Sequence, residues 1–147
     1  MKKIVLLFIM FLGFIGTQQA QTLDQFFDKY CKNDKFTYVS VGKGMMNAVE
    51  NYADLDEEPE GTIPNSVKIL TLEDVTTVNA ALAKQIIAEI SNIMNTDNFE
   101  KTLEVRDKGD ETYMYSKKYE NRETEQLLID INEEELNIIW TKGKKNK

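Results

Sequence analysis

Residues 125–132 (Glu-Gln-Leu-Leu-Ile-Asp-Ile-Asn) and 136–142 (Leu-Asn-Ile-Ile-Trp-Thr-Lys) decide the fold, because apolar and polar side chains alternate along them. An alternation with a period of two is typical of half-buried β-strands. Two similar runs precede them, at 99–106 and 111–119, and short polar turns separate all four. Strands this close in sequence pair as antiparallel hairpins, since a parallel return needs a crossover of about a dozen residues. We therefore predict a four-stranded meander in the second half of the chain.

One face of this meander is expected to line the hydrophobic core. Side chains two positions apart lie on the same face of a strand, so the alternation assigns each apolar residue to a face. The inward-facing set is predicted to be Leu103, Val105, Leu127, Ile129, Ile131, Leu136, Ile138 and Trp140.

The first half of the chain is expected to supply the helices. Thr22 and Gln25 have the spacing of a capping box, and apolar residues then recur every three or four positions. The predicted elements are helices at 22–32 and 76–94, a third helix that opens at Gly42–Gly44, strands at 36–41 and 66–72, and an exposed acidic loop at 54–64. Met45, Met46 and Val78 are assigned to buried helix faces. The fold class is therefore α+β: a single domain of three helices packed on a mainly antiparallel sheet.

The N-terminus has the three-part build of a secretory signal peptide. Lys2 and Lys3 precede an apolar run at 4–15, and residues 16–20 are more polar and end in Ala20. The run is too short for a membrane-spanning helix, which needs about 20 residues. We predict a signal peptide at 1–20, the domain at 21–143 and a basic disordered tail at 144–147. The mature protein is expected in the periplasm or outside the cell, without membrane insertion after cleavage; retention of the leader is the alternative.

Composition excludes several chemistries. The chain has no His and one Cys, so catalytic groups built on His and zinc sites built on His or several Cys are excluded. Without Lys2 and Lys3, 16 basic residues face 25 acidic ones, a net charge of −9 that opposes nucleic-acid binding. We predict no catalytic, cofactor-binding or metal-binding residue. Cys31 is either buried, free or paired with another chain.

Tyr113, Tyr115 and Tyr119 alternate along one predicted strand and share a face with Lys117. Tyrosine is common at interfaces because it combines apolar area with a polar tip, so these four residues form the candidate interaction face. Cross-strand packing explains the same pattern, and both interpretations stay open.

Carboxylates crowd into the acidic loop, at Asp54, Asp56, Glu57, Glu58 and Glu60. Paired carboxylates can hydrolyse glycosides, so the loop carries the alternative function. The Asp-x-Asp-x-Glu spacing also resembles the start of an EF-hand loop, but Pro59 stands where that loop requires glycine. A solvated acidic loop is the simpler interpretation.

Several stretches together resemble the bacterial domain-of-unknown-function family 4252. They are 26–41, 67–72, 103–107, 125–133 and 140–143, and their order and spacing cover about residues 23–143. The resemblance implies a small exported α+β protein and brings no catalytic residues. Many members are predicted lipoproteins, whereas this chain lacks a cysteine at the end of its leader.

The expected function is that of an exported, non-catalytic domain that binds a protein or another component of the bacterial envelope. The runner-up is a carboxylate-based hydrolase acting on an extracellular glycan or peptide. A homo-oligomer linked through Cys31 is a third possibility.

Overall fold

A computed structural model describes residues 21–52 and 62–145 and gives an α+β fold. The described elements, in chain order, are α1 (Leu23–Tyr30), β1 (Phe36–Val41), α2 (Lys43–Tyr52), β2 (Thr62–Glu73), α3 (Ala80–Thr96), β3 (Glu100–Asp107), β4 (Asp110–Lys118), β5 (Glu123–Ile131) and β6 (Glu135–Lys145). The capping box is present, with the Thr22 side chain accepting from the Gln25 backbone and the Gln25 side chain accepting from the Thr22 backbone.

The strands form one six-stranded sheet in the order β1-β2-β6-β5-β4-β3, and every neighbouring pair is antiparallel. The predicted C-terminal meander is confirmed as β3 to β6. The β1–β2 pair extends this meander because β2 lies against β6, the last strand of the chain. Residues from both halves of the chain therefore meet at the middle of the sheet.

Helices α1 and α3 cover one face of the sheet and enclose the core. Phe26 and Phe27 of α1 are fully buried, and the Phe27 ring lies 5.3 Å from that of Trp140 on β6. The other buried core residues are Leu23, Tyr30, Leu70, Leu72, Val75, Ala83, Ile86, Ile90, Ile93, Met94, Leu127, Ile129, Leu136 and Ile138. Full burial of one such side chain stabilises the fold by about 1.5–3 kcal/mol. The inward assignment of the β5 and β6 residues is correct.

A β-bulge makes the inward assignment of Leu103 and Val105 wrong. Lys101 pairs with Tyr115 while Leu103 pairs with Met114, so Thr102 is an extra residue in β3. One extra residue turns every later side chain of a strand to the opposite face. Leu103 and Val105 therefore lie opposite the helices and remain 43% and 46% exposed.

Two residues assigned to buried helix faces are exposed. Val78 is 82% exposed because residues 75–79 form a turn in which the Thr77 and Asn79 amides donate to the Asp74 carbonyl. The third helix therefore begins at Ala80, four residues later than its pattern suggests. Met45 is 67% exposed at the start of α2, so its assignment to the core was also wrong.

The predicted basic tail is partly structured. Lys144 and Lys145 extend β6 and pair with Ile63 and Thr62, so the strand ends later than predicted. Because β2 begins at Thr62, the last residues of the predicted acidic loop belong to a strand. The carboxylates predicted in that loop, from Asp54 to Glu60, lie outside the described residues.

Candidate functional site

The face of the sheet opposite α1 and α3, hereafter the open face, carries an unbroken line of apolar side chains. Each member pairs with the next across neighbouring strands, so the line crosses all six strands at one level. This apolar row consists, from β1 to β3, of Val39, Ile69, Ile139, Leu128, Met114 and Leu103. With strands about 4.8 Å apart, the row is about 24 Å long.

Every side chain of the apolar row stays in contact with solvent. Val39 and Leu103 are 44% and 43% exposed, and the four between them are half-buried. Their neighbours along the strands point the other way: Leu70 and Ile138 are fully buried beneath the helices. The same strands thus carry a buried apolar surface on one face of the sheet and a solvent-accessible apolar surface on the other.

Polar rows lie on both sides of the apolar row. The first flanking row contains Thr37, Thr71, Asn137, Asp130, Thr112 and Val105, and the second contains Val41, Val67, Thr141, Gln126, Ser116 and Glu100. In the first row the Thr71 hydroxyl donates to Asn137 Oδ1 at 2.7 Å, and the Thr112 hydroxyl donates to Asp130 Oδ1 at 2.7 Å. These cross-strand bonds hold the polar side chains against the sheet and leave the apolar row accessible.

The open face has a depression of about 590 Å³ near β3 and β4. Met114 of the apolar row lines it together with Thr102, Ser116 and Gln126. Thr102 is the bulged residue, and its hydroxyl donates to the Met114 carbonyl at 3.3 Å. The bulge therefore has two effects on the open face: it lines the depression with Thr102, and it places Leu103 on this face.

The predicted interaction face lies on the other side of the sheet. Tyr113 and Tyr115 pack against the core below the helices, and both are half-buried. Lys117 forms an ion pair with Asp97 at 2.9 Å, and its Nζ lies 5.2 Å from the centre of the Tyr119 ring. Tyr119 is 38% exposed, just after β4. The four residues are close in space, and Tyr119 is more exposed than either of the other two tyrosines.

Charged groups surround the Tyr113 ring. Lys101 Nζ lies 5.2 Å from the ring centre, and Glu104 binds both Lys101 and Arg106 at 2.9 Å. The Tyr113 hydroxyl donates to Glu111 at 2.6 Å, and this carboxylate raises the pKa of Tyr113. The hydroxyl is therefore held protonated, and the charges around it are paired.

Lys117 also has a shifted pKa. Burial is the largest single influence and disfavours its charged form, but the hydrogen bond to Asp97, the attraction of that carboxylate and the contact with Tyr119 together outweigh burial, so the pKa of Lys117 is raised. A lysine that serves as a general base needs a lowered pKa. Lys117 is thus suited to holding Asp97 at the end of α3, and this arrangement does not favour catalysis.

A second group of carboxylates meets at a shallow recess of about 390 Å³ between the end of β2 and the β5–β6 turn. It is lined by Glu73, Asp74, Glu133, Glu134 and Glu135, together with Thr76 and Thr77. Four of the five carboxylates are exposed. Within residues 21–52 and 62–145, no three Asp, Glu, Cys or His side chains come together in a group that could hold a metal ion.

The apolar row was not predicted from the sequence, although a signal for it exists. Three strands carry adjacent apolar residues: Ile69-Leu70, Leu127-Leu128 and Ile138-Ile139. Alternation hides such pairs because each supplies one residue to each face. Read as pairs, they predict a central sheet region that is apolar on both sides.

No helix in the described part of the chain is long and apolar enough to cross a membrane.

Fold and surface together define a class: a small α+β domain with helices on one face of an antiparallel sheet and an accessible apolar row on the other. The chain belongs to the family described as Domain of unknown function (DUF4252), which matches residues 28–145. No curated protein and no solved structure shows significant similarity to it.

Proposed function

We propose that the protein is an exported, non-catalytic binding domain of the bacterial cell envelope and that it binds a protein partner through the open face. The apolar row is the observation that carries this proposal. It presents six aliphatic side chains in line, and none of them is buried. Contiguous exposed apolar patches on folded domains mark interaction sites, whereas scattered apolar residues do not.

The surroundings of the apolar row also suit a protein interface. Interfaces commonly have an apolar centre and a polar rim. Here the rim is formed by flanking rows rich in Thr, Ser, Asn and Gln, with Asp130 and Glu100 as their only carboxylates. Because Thr112 donates to Asp130, part of the rim is already fixed before a partner binds. A pre-ordered rim lowers the entropic cost of binding.

The tyrosine face remains a second proposed surface. Tyr113 and Tyr115 contact the core with part of their area, and Tyr119 is the one member of this face that is exposed. We rank it below the open face because its polar groups already have partners within the chain: Lys117 is paired with Asp97, and the Tyr119 hydroxyl donates to Glu125.

Export is supported by the leader at residues 1–20, with its two lysines and apolar run. N-terminal sequencing of the protein recovered from the periplasm or medium is expected to begin at Gln21. Protein that retains Met1 and stays in the cytosol would contradict export.

Site-specific photocrosslinking in cells tests the binding surface. A photoreactive amino acid at Met114, on the open face, is expected to give a discrete crosslinked protein. The same amino acid at Val78, which is exposed but lies off the sheet, is the matched control and is expected to give none. Equal products at both positions, or none at Met114, would contradict the proposal.

A further inference from the structure

We infer that the occupant of the open face is a second copy of this chain, so that two sheets pack face to face. This inference rests on the proposed function, since it takes the open face as the binding surface. The geometry points to a two-fold axis that runs parallel to the strands, between β5 and β6. That line is the midpoint of the apolar row, with three of its side chains on either side.

The two-fold axis brings apolar side chains together along the whole row. Ile139 of one copy meets Leu128 of the other at the centre of the interface. Ile69 then meets Met114, and Val39 meets Leu103 at the two ends, because the strand order is reversed across the axis. In each pair, one residue is branched at Cβ and belongs to β1, β2 or β6. The other residue is not branched at Cβ and belongs to β5, β4 or β3. Opposed side chains of different shape interdigitate better than identical ones.

The flanking rows match under the same axis. Asn137 of one copy faces Asp130 of the other, and Thr141 faces Gln126. Thr71 faces Thr112 in one row, and Val67 faces Ser116 in the other. The Asp130 carboxylate therefore faces the Asn137 side-chain amide of the other copy. No carboxylate of the three rows faces a carboxylate of the other copy. A two-fold interface requires this self-complementarity, because one surface must serve both partners.

Charge favours a second copy at this face over the rest of the described surface. The chain has a net charge of −7, so two copies repel each other unless the contact excludes acidic groups. The end of β2 and the β5–β6 turn carry exposed carboxylates such as Glu73 and Glu133, whereas the centre of the open face carries Asp130 alone. Two acidic chains approach most closely where they hold the least charge.

The area of the open face lies just above the lower limit for a specific interface, as expected of a reversible dimer. Six strands about 4.8 Å apart and three rows about 6.8 Å apart cover roughly 550 Å² per copy. Two copies then bury about 1,100 Å², which exceeds the roughly 1,000 Å² expected of a specific interface. Aligned sheet packing at about −30° keeps both apolar rows in contact near the axis.

Sedimentation equilibrium of the full chain, purified after expression with its leader, tests the inference. A reversible dimer with a dissociation constant in the micromolar range or below is expected. Leu128→Thr keeps a strand-forming side chain but lowers apolar area at the centre, and it is expected to weaken the dimer at least about 30-fold, because each dimer contains the change twice. Val78→Thr, the same kind of change off the sheet, is expected to leave the dimer unchanged. Equal dissociation constants for both variants would overturn the inference.

A second measurement locates the axis. Two chains are prepared, each with Cys31→Ser: one carries Ile139→Cys and the other Leu128→Cys. A short bifunctional thiol reagent is expected to crosslink this mixture into heterodimers efficiently, because the two cysteines face each other across the axis. A mixture of Val39→Cys and Leu128→Cys is the control and is expected to crosslink less efficiently, because Val39 lies at the end of the row and Leu128 at its centre. Equal yields from both mixtures would overturn the proposed axis.

These results separate the inference from the proposed function. A chain that stays monomeric at all concentrations, while Met114 crosslinks to a different protein in cells, overturns the second copy and leaves the binding role in place. A monomer in which Met114 crosslinks to residues 53–61 of its own chain overturns both. A dimer that Leu128→Thr dissociates and whose own copy is the product at Met114 supports both.

Discussion

The two faces of the sheet use the same strands in different ways. Beneath α1 and α3, Leu70, Leu127 and Ile138 are closed off from solvent. One residue away, Ile69, Leu128 and Ile139 line the open face and are half-buried, in contact with solvent. The difference lies in what covers each face, since the side chains are alike. Apolar content alone therefore does not identify a core; the helices that cover one face do.

The largest contrast is expected between Ile138→Ala and Ile139→Ala. Ile138 is fully buried, and its truncation is expected to lower the free energy of unfolding by about 2–5 kcal/mol, because it leaves a cavity in the core. Ile139 lies in contact with solvent, so the same truncation is expected to cost about 1 kcal/mol in the monomer. Urea unfolding followed by the fluorescence of Trp140, the only tryptophan of the chain, measures both. Equal losses would mean that the open face is buried in solution even at low protein concentration.

A smaller effect is expected at the contact between the two covering helices. Glu89 on α3 accepts hydrogen bonds from Lys29 at 2.9 Å, from Tyr30 at 2.9 Å and from Gln85 at 3.0 Å. Burial opposes ionisation of Glu89, yet these donors together lower its pKa below the ordinary value of 4.5. A lowered pKa stabilises the fold above pH 4.5, and this stability is lost as the pH falls through the lowered value.

Replacement of Glu89 by Gln tests this contact. The variant is expected to lose about 1.5–3 kcal/mol near pH 7, the usual contribution of a hydrogen bond to a charged group. It is also expected to lose less stability than the parent chain when the pH is lowered from 6 to 3, because it has no carboxylate to protonate there. Parallel pH profiles for the two proteins would show that Glu89 does not join the helices through its charge. Glu120→Gln, in the exposed turn between β4 and β5, is the matched control and is expected to leave the pH profile of the parent chain unchanged.

On the open face, Thr112→Val removes the hydroxyl that donates to Asp130 at 2.7 Å and keeps the shape of the side chain. A cost of about 0.5–1 kcal/mol is expected, because Asp130 remains partly solvated and can bond to water. Thermal unfolding measures the change. A loss of stability larger than that of Glu89→Gln would mean that Asp130 is less accessible to water than its exposure indicates.

The smallest effect is expected for Val78→Ser, in the turn before α3. With 82% of its surface exposed, Val78 contributes little to either face, and a change within about 0.5 kcal/mol is expected. Thermal unfolding again measures it. A larger loss would show that the Val78 side chain makes stabilising contacts despite its exposure.

Much of the fold was predictable because local spacing determines it. The four runs after residue 98 fixed the meander, and the Thr22–Gln25 spacing fixed the start of α1. The errors at Leu103, Val105 and Val78 share one kind of cause: a local interruption of a regular pattern. Thr102 turned Leu103 and Val105 to the other face, and the turn at Asp74 removed Val78 from α3. Such residues carry no periodic signal of their own.

The open face was harder to predict because it depends on register between strands far apart in sequence. Val39 and Leu103 are far apart in sequence, so no local pattern connects them. Only the strand order and register place them in the same row. The tyrosines of β4 gave a stronger local signal, and the structure places them on the helix side. A surface made of one residue from each strand appears only when the whole sheet is assembled.

The bulge in β3 also affects how the sheet can grow. As an outer strand that is exposed along its whole length, β3 is a natural template for further chains. The extra residue Thr102 interrupts the regular hydrogen-bond ladder of β3. Lys101 and Arg106, before and after it in the strand, add charge. Addition of strands to this border, the route to open-ended fibrils, is thereby discouraged. Packing of two copies through the open face, as inferred above, is complete after one partner, because α1 and α3 cover the other face of each sheet. The bulge therefore opposes open-ended growth without opposing such a closed pair.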